Sequence, residues 1–420
     1  MGAGSDNHFM NPIILHGKLS RQRLATLRGV SSHWHRETLA LGRKLGINLV
    51  LGLGLVGALR AAPGLPAPYD IDPTLEHPRN TEGSFVTLRS GRILFSSSQF
   101  SEGQHDHSPS AIAEIHSDDQ GRIWSQPRVV LPTGRYQNIM SVSFLRLASG
   151  RIARFHCVKE TKWLDCHPLM SLSNDEGVTR SEPKQMLSAP GHFVLNNDRV
   201  IQTSSGRIIV PLGYHRTKGV ADERSSWDSR AIAMWIYSDD EGATWTESKT
   251  WWGLPVAGAS GLQEPGVVQL PDGFLYAWCR TDQRYQYGFV SQDDGLTWSA
   301  PVPGPLVSPN SPASIKRVPN TKTLMVIYND HSGRVPLPSK MDQRAPLVAA
   351  FSTDGARTWV APQVIEDDLP GWFCYTAIHF TDDAVLLAYV AGNEQLGRLS
   401  RLRLRRVPLA ALDIPLNRAP

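Results

Sequence analysis

Short stretches in which apolar and polar residues alternate run through most of the chain, the pattern of half-buried antiparallel strands. AIAEIHS (111–117) and RIIVPLGY (207–214) are examples. Six turns containing Gly, Asn or Asp are each followed by an apolar run, which predicts six hairpins. They are LRSGRILFS at Gly91, LASGRIARF at Gly150, TSSGRIIVP at Gly206, LPDGFLYAW at Gly273, VPNTKTLMVI at Asn320 and FTDDAVLLAYV at Asp383. One strand unit therefore repeats along the chain.

An eight-residue phrase, Ser-x-Asp-x-Gly-x-Thr-Trp, recurs every 53 to 65 residues. The five copies are Ser117–Trp124, Ser173–Arg180, Ser238–Trp245, Ser291–Trp298 and Ser352–Trp359, of which the second lacks the Trp. Its Ser and Asp can accept backbone N–H bonds in a tight turn, its Gly supplies a positive φ, and its Trp packs between strands. We therefore assign these acids a structural role on the outer rim: Asp119, Asp175, Asp240, Asp293 and Asp354.

The two repeats together predict an all-β fold, a six-bladed β-propeller of four-stranded antiparallel blades. Five phrases accompany six hairpins, so the sixth blade lacks its phrase and ends in RLRLRRVPL (401–409). The blades take up residues 78–410. A propeller is large for one domain but forms a single fold, so length alone does not require a second domain.

The N-terminal segment has a different character. Arg43 and Lys44 precede an apolar run, Leu45 to Ala62, whose length and flanks fit a secretory signal better than a full membrane span. PGLPAPYDIDP (63–73) has the composition of a linker. The predicted division is therefore 1–67, a basic region with signal peptide and linker, and 68–420, the propeller. We expect export to the periplasm or the extracellular space, with an uncleaved membrane anchor as the alternative.

Charge and cysteine content narrow the function further. The net charge is +4, but the first 60 residues hold 8 Lys/Arg against 2 Asp/Glu, so the remainder is nearly balanced. This charge distribution does not predict a basic surface for binding a nucleic acid. Cys157 and Cys166 flank a predicted loop and could form a disulfide or remain a reduced pair. No Cys/His spacing predicts zinc, and no metal or other cofactor is expected.

Candidate chemistry lies where the blades' inner strands begin, because these strands surround one central funnel. Polar residues at or near these starts, and at strand ends and loops that reach the funnel, are Arg79, Glu82, Asp106, Asn138, Asn196, Asn197, Asp198, Glu264, Arg280, Asn310, Arg344 and Tyr375. Singly, each has a structural alternative: the arginines could pair with rim acids, and Tyr375 could be core packing. Their occurrence in successive blades favours a shared site.

The repeated Asp boxes on a six-bladed propeller resemble the sialidase (neuraminidase) superfamily over roughly residues 78–410. Sialidases carry a glutamate at the start of the fourth blade's inner strand and an arginine just past the next strand, and QEPGVVQLPDGFLYAWCRT supplies Glu264 and Arg280. A further arginine, in the fifth blade, corresponds to Arg344 in QRAPLVAAFSTDGARTW. The tyrosine that opens the sixth blade's inner strand corresponds to Tyr375, and the acid/base aspartate of the first blade to Asp106 in SEGQHDHSPSA.

The first blade departs from the family pattern. Sialidases usually have Arg-Ile-Pro there, whereas this chain has Arg79-Asn80-Thr81-Glu82-Gly83, with an additional acid. Glu82 and the segment Asn196-Asn197-Asp198 are therefore candidates for hydrogen bonds to the substrate. These departures leave the identity of the sugar open.

The resemblance implies a retaining exo-glycosidase that acts on a terminal acidic sugar in a glycan, such as sialic acid. A cluster of arginines suits the sugar carboxylate, because guanidinium holds a carboxylate by two parallel N–H bonds. Tyr375 would be the nucleophile with Glu264 as its base, and Asp106 the general acid/base. Two alternatives stay open: a related propeller hydrolase or lyase for another acidic sugar, and a carbohydrate-binding propeller without turnover.

Overall fold

Six antiparallel sheets follow one another in the computed structural model, which describes residues 65–415. They form a six-bladed β-propeller, as the repeats predicted. Blade one contains β2 (Arg79–Thr87), β3 (Ile93–Phe100), β4 (Ser110–Ser117) and β5 (Arg128–Leu131). Blade two contains β6 (Asn138–Arg146), β7 (Ile152–Lys159), β8 (His167–Ser173) and β9 (Lys184–Gln185). The predicted export signal and membrane anchor lie outside the described residues.

Blade three differs from the other blades because its inner strand is interrupted. β10 (His192–Val194) and β11 (Ile201–Gln202) both pair with β12 (Ile208–Thr217), which pairs in turn with β13 (Trp227–Ser238). The blade ends with β14 (Thr246–Glu247), and a single turn of helix, α1 (Glu223–Ser226), precedes β13. The segment between the two inner pieces, residues 195–200, is therefore free to contact neighbouring blades.

The remaining blades complete the ring. Blade four contains β15 (Gln263–Gln269), β16 (Leu275–Arg280), β17 (Tyr285–Ser291) and β18 (Val302–Val307). Blade five contains β19 (Ser314–Arg317), β20 (Leu324–Asn329), β21 (Leu347–Ser352) and β22 (Val360–Glu366). Blade six contains β23 (Trp372–Phe380), β24 (Ala384–Gly392) and β25 (Leu402–Pro408), followed by one 3-10 turn, Leu409–Ala411. No helix among residues 65–415 is long and apolar enough to cross a membrane.

The outer strand of blade six comes from the other end of the described chain. β1 (Tyr69–Ile71) pairs antiparallel with β25, which gives the order β1-β25-β24-β23. Arg403 donates from Nε and Nη2 to the Asp70 carboxylate at 2.8 Å each, and fixes this pairing. The interpretation of residues 63–73 as a linker was therefore wrong for Tyr69–Ile71.

Apolar side chains from adjacent blades fill the spaces between the sheets. The middle strand β20 is buried along its whole length because its two faces pack against different neighbours. Both faces of such a strand must be apolar, which explains the continuous run LMVIY in its sequence. The inner strands are more polar, since one end of each faces the funnel.

The Asp boxes form hydrogen-bonded turns at the ends of the third strands of blades one to five. In blade three, the Asp240 carboxylate accepts from the backbone N–H of Thr244 at 2.8 Å, and the Ser238 hydroxyl accepts from the Gly242 N–H at 2.7 Å. Gly242 has φ +89°, a conformation that favours glycine. These contacts use the box acid to hold the turn, in keeping with the structural role predicted for it.

Candidate active site in the central funnel

The inner strands of blades one, two, four and six share a break in register near the funnel. At each break stands a residue with positive φ: Glu82 (51°), Ser141 (64°), Glu264 (50°) and Tyr375 (58°). Such a conformation is strained for residues other than glycine, and a bulge re-aims the side chain that it carries. The four bulges therefore direct one polar side chain each toward the funnel axis.

The bulges of blades four and six bring Tyr375 and Glu264 into contact. The Tyr375 hydroxyl donates to Oε1 of Glu264 at 3.1 Å, within the range expected for a phenol and its base. Nη1 of Arg280 lies 3.1 Å from Oε2 of Glu264 and donates to the Tyr375 oxygen at 3.3 Å. The Gln263 side chain accepts from Nε and Nη2 of Arg280 at 3.0 and 2.8 Å, which orients the guanidinium.

The surroundings of Tyr375 keep its hydroxyl protonated at neutral pH. Burial, followed by the neighbouring Glu264 carboxylate, raises the pKa of Tyr375 above its usual range, and Arg280 and Arg344 only partly oppose this. A phenol in this state is a weak nucleophile unless a base removes its proton. Glu264 is the carboxylate in hydrogen-bonding contact with it.

A second charged group lies at the first blade, centred on Arg79. Its guanidinium is buried, with 1% of the side chain exposed, and donates from Nη1 to Oδ1 of Asp106 at 2.5 Å and from Nη2 to Oε1 of Glu82 at 3.2 Å. Glu82 is also buried and accepts from the Ser141 hydroxyl, whereas 63% of the Asp106 side chain is exposed. Arg79 is therefore engaged by two carboxylates.

These two carboxylates have opposite pKa shifts. Burial raises the pKa of Glu82 to about 7, and outweighs the opposing effect of Arg79. For the largely exposed Asp106, the positive charges of Arg79 and Lys159 dominate and hold its pKa well below its usual range. At neutral pH Asp106 is therefore ionised, while Glu82 is close to its midpoint.

The raised pKa of Glu82 predicts a pH-dependent stability. Between pH 4.5 and 7 the folded protein binds more protons at this site than the unfolded chain, so the free energy of unfolding falls as pH rises through this window. Glu82→Gln cannot titrate. We expect its free energy of unfolding, relative to wild type, to rise by on the order of 3 kcal/mol across the window.

Denaturant titrations at several pH values measure this difference. Glu102→Gln, which removes an exposed glutamate of the same blade, is the control for loss of one negative charge. A Glu82→Gln difference that does not change with pH would contradict the assignment.

Arg344 lies beside the catalytic candidates, against aromatic rings. Its guanidinium carbon is 5.4 Å from the ring centroids of both Trp372 and Tyr375. Among residues 65–415, Nε and Nη1 of Arg344 find no hydrogen-bond partner. Burial would lower the pKa of Arg344, but Cys374, Tyr375 and Glu264 together raise it, so the group stays charged. The side chain thus holds a positive charge and unused donors next to Tyr375.

A cavity of about 260 Å³ lies beside these groups, although Arg79 and Arg344 are not among the residues that line it. Six of the predicted site residues line it: Glu82, Asp106, Asn196, Glu264, Arg280 and Tyr375. The opposite wall, from blades two and three, is aromatic and cationic and was not predicted. It comprises Lys159, Lys162, Trp163, His192, His215 and Trp227, together with His105 and His107 from the loop of blade one.

That opposite wall is built by stacking. His215 and Trp227 stack with centroids 4.8 Å apart, and Trp163 lies 5.9 Å from Trp227. Burial lowers the pKa of His215 to about 4, so its ring is neutral at physiological pH. Lys159 donates to the backbone carbonyl of Asp106 at 2.8 Å and ties this wall to the acidic loop. This wall therefore combines aromatic rings with two lysines, whereas the wall near Tyr375 carries carboxylates and Arg280.

The segment Asn196-Asn197-Asp198 contributes less to the cavity than expected. Asn196 lines it and donates to Glu264 at 3.4 Å. Asn197 instead donates to the backbone carbonyls of Gly83 and Tyr375, at 2.9 and 3.1 Å. The structure therefore brings Asn196 to the site and uses Asn197 to tie the inner strands together.

Asp198 is directed away from the cavity. Its carboxylate accepts from Lys316 and from the backbone N–H of Ile378, at 2.8 and 2.9 Å, and from the Ser84 hydroxyl at 3.0 Å. These three partners belong to three different blades. The physical reason is the interruption of the inner strand, which frees residues 195–200 from pairing in blade three and lets them contact the inner strands of other blades. The structure therefore does not support the prediction of substrate contact for Asn197 and Asp198.

Two further features complete the description of the site. Cys157 and Cys166, which the sequence left as either a disulfide or a reduced pair, both line the cavity as free thiols. Within residues 65–415, no group of three or more His, Cys, Asp or Glu side chains is arranged to hold a metal ion. The arginines of the site can bind an anion, its carboxylates can transfer protons, and Tyr375 supplies a phenol that can act as a nucleophile.

Comparisons with known proteins agree with this architecture. The profile of the family described as BNR repeat-like domain matches residues 94–387. A sialidase of Clostridium perfringens is 25% identical over 229 residues, which are 50% of this chain and 58% of that protein. The match thus spans less than two thirds of that relative.

Solved structures resemble the whole propeller. The intramolecular trans-sialidase of Ruminococcus gnavus has a TM-score of 0.62 at 16% identity, covering 81% of this chain and 96% of that one. The NanB sialidase of Streptococcus pneumoniae has a TM-score of 0.63 at 15% identity, covering 83% and 71%. A Dyadobacter fermentans protein of unknown function has a TM-score of 0.63 at 16% identity, covering 82% and 99%. At these identities the likeness establishes the fold.

Proposed function

Since the chain belongs to the BNR repeat-like domain family and shares the propeller fold of sialidases, we propose that it is an exo-glycosidase of the sialidase type. It removes a terminal acidic sugar from a glycan and retains the configuration at the anomeric carbon. The observation that carries this proposal is the hydrogen bond from Tyr375 to Glu264 at 3.1 Å, made across two blades by strained bulges. Strain of this kind is kept where a site needs it.

Arg280, which lines the cavity, and Arg344, which lies behind it against the Tyr375 ring, would bind the sugar's carboxylate. Arg280 is held by Gln263 with its guanidinium beside the Tyr375 oxygen, and Arg344 has donors without partners in the described structure. A carboxylate placed between them gains charge-assisted hydrogen bonds, and its anomeric carbon would lie next to the phenol. An anionic nucleophile would be repelled by that carboxylate, which is why a neutral phenol suits this substrate.

The first half of the reaction forms a glycosyl–tyrosine bond. The Tyr375 oxygen attacks the anomeric carbon while Glu264 accepts the phenol proton. The bond from the anomeric carbon to the leaving oxygen breaks, and Asp106 donates a proton to that oxygen. In the second half, Asp106 takes a proton from water, the water oxygen attacks the anomeric carbon, and Tyr375 leaves and recovers its proton from Glu264.

Asp106 must be protonated to act as the acid, yet in the free protein it is ionised against Arg79. A substrate carboxylate that draws Arg79 toward itself would weaken this pairing and raise the pKa of Asp106. Binding of the correct substrate would thereby load the acid with its proton. Asp106 can therefore be ionised in the free protein and still act as the general acid once the substrate is bound.

The position of Glu82 favours a second candidate, a related enzyme for another acidic sugar. Glu82 accepts from Nη2 at the edge of the Arg79 guanidinium at 3.2 Å and adds a negative charge near the site when ionised. A substrate whose anionic group is placed differently, or which offers hydroxyl groups to Glu82, would fit such a pocket better than sialic acid. Hydrolysis and elimination to an unsaturated sugar are both compatible with this candidate.

Turnover of a panel of aryl glycosides tests the proposal. The panel should contain the α-sialoside, related nonulosonides, a uronide and a neutral glycoside, with nuclear magnetic resonance of the first-formed product to determine its anomeric configuration and to detect elimination. We expect cleavage of an acidic glycoside with retention and no cleavage of the neutral one. Binding of acidic sugars without cleavage of any member would reject the enzyme assignment and support a carbohydrate-binding propeller.

A further inference from the structure

The Asp box of blade two lacks the Trp that ends the other four boxes. Where the other boxes end in Trp, this box ends in Arg180. Trp124, Trp298 and Trp359 are buried at the corresponding positions and pack into the apolar clusters beside their blades. The Arg180 guanidinium lies 5.2 Å from the ring centroid of Phe144, beside the interface of blades one and two. The guanidinium of Arg180 therefore takes the position that the Trp side chain has in the other boxes.

A second arginine lies in the same region. Arg154, in the middle of β7, is 4% exposed, and its neighbours on the same face of the strand, Ile152 and Val158, pack against blade one. Burial and the neighbouring Arg180 together lower the pKa of Arg154 to about 10, and Glu114 only partly opposes this. Two adjacent cations, one buried and one partly buried, with no carboxylate among the described residues in ion-pair contact, are costly in the absence of a ligand.

The donors of these arginines lack partners. Among residues 65–415, Nε of Arg154 and both Nη atoms of Arg180 are buried and make no hydrogen bond, and neither residue has a carboxylate oxygen within 4.0 Å. Glu114 lines the same space, but its Oε2 accepts from the Ser96 hydroxyl at 2.9 Å. Buried charged donors are normally satisfied, so this group calls for a bound partner.

A cavity of about 450 Å³ provides room for that partner. Ligand pockets commonly measure about 300–1,000 Å³. Its lining includes Glu114, Arg128, Arg154, Val178, Arg180 and Glu182, of which Arg128, Val178 and Glu182 are exposed and mark the mouth. It shares no lining residue with the funnel cavity. The two spaces are therefore separate.

We infer that this cavity between blades one and two binds a tetrahedral oxoanion, a sulfate or phosphate group, through Arg154 and Arg180. Two guanidinium groups together offer donors in several directions. An anion with three or four oxygens can accept from both groups at once. The size of the cavity leaves space for the sugar of a sulfate or phosphate ester as well as for the free ion. Because the box of blade two has Arg180 in place of the bulkier Trp, the cavity has room for the anion at this position.

Calorimetric titration of the full chain with sodium sulfate and sodium phosphate tests this inference. Sodium chloride at matched ionic strength is subtracted, because sulfate also stabilises proteins without binding to a site. We expect saturable binding of one oxoanion per chain. Arg154→Gln and Arg180→Trp should each weaken it at least about tenfold, since each removes charge-assisted hydrogen bonds. Arg357→Gln, at an exposed arginine of the blade five box, is the matched control and should bind as wild type does.

Arg180→Trp keeps the test decisive if Arg154→Gln does not fold, because it restores the residue found in the other boxes. Titration with a sulfated and a phosphorylated monosaccharide distinguishes the source of the group: an ester that binds at least as tightly as the free ion points to a modified glycan, and weaker binding points to the free ion. The absence of saturable binding of every probe to wild type, or undiminished binding to folded Arg180→Trp, would overturn the inference.

Discussion

Tyr375→Phe is expected to lower kcat for the acidic glycoside by at least about a thousandfold while the affinity for the sugar stays within a few-fold of wild type. The substitution removes one oxygen and leaves the ring in place against Cys374 and Val390. It deletes the attacking atom and the hydrogen bond to Glu264, but it leaves Arg280, Arg344 and Arg79 in position. Binding of the carboxylate should therefore survive the loss of chemistry.

Steady-state kinetics on the aryl glycoside and calorimetric binding of the free sugar measure the two quantities separately. Tyr287→Phe is the matched control, since Tyr287 is a buried tyrosine of blade four that does not line the funnel cavity. A Tyr375→Phe enzyme that keeps more than about a tenth of wild-type kcat would exclude the phenol as nucleophile. Loss of binding together with loss of kcat would instead indicate a collapsed pocket.

Asp106→Asn is expected to slow cleavage in a way that depends on the leaving group. A general acid contributes about 10²–10⁴-fold when the leaving oxygen needs a proton. An oligosaccharide has an alkoxide leaving group and should lose activity by about that factor. A nitrophenyl glycoside releases a stable nitrophenolate that needs no proton, so formation of the glycosyl–tyrosine bond should be slowed much less. Breakdown of that bond should then become the rate-limiting step.

A burst of nitrophenol followed by slow turnover would be the kinetic sign of this change in limiting step. Asp118→Asn, which removes an exposed carboxylate from the rim of the same blade, is the control. Equal losses on the two substrates, without a burst, would assign Asp106 to positioning of Arg79 rather than to proton transfer. The buried Arg79 is retained in both variants, so the comparison isolates the carboxylate.

The parts of the fold that could be predicted are those in which the determining contacts are local. Each hairpin turn and each Asp box is a short stretch whose own hydrogen bonds set its conformation, so six blades could be counted along the chain. β1 escaped prediction because the three residues YDI carry little strand signal, and the partner strand β25 lies at the other end of the described chain. Nothing near Tyr69 in the sequence indicates that pairing.

The candidate site shows the same division. The contact of Tyr375 with Glu264 could be predicted, because both lie near the starts of inner strands that surround the funnel and the resemblance to sialidases pairs residues at these positions. The direction of Asp198 could not be predicted, since it depends on an interruption of β-pairing in blade three. Ser141 was missed because its neighbours are apolar; its equivalence to Glu82 becomes apparent only when the bulges of blades one and two are superposed along their strands.

The pairing of β1 with β25 also has a consequence for how the chain reaches its folded state. Asp70 and Arg403, which join these strands, are 333 positions apart, so the closing contact has the longest loop of any blade and forms at a high entropic cost. During synthesis, β1 emerges before every blade and must wait for β25, the last strand to be made. After β25 has formed and before β1 pairs with it, β25 presents an open edge to other chains. Assembly should therefore be slow in its final step, and concentrated refolding mixtures should lose material to aggregation at that step.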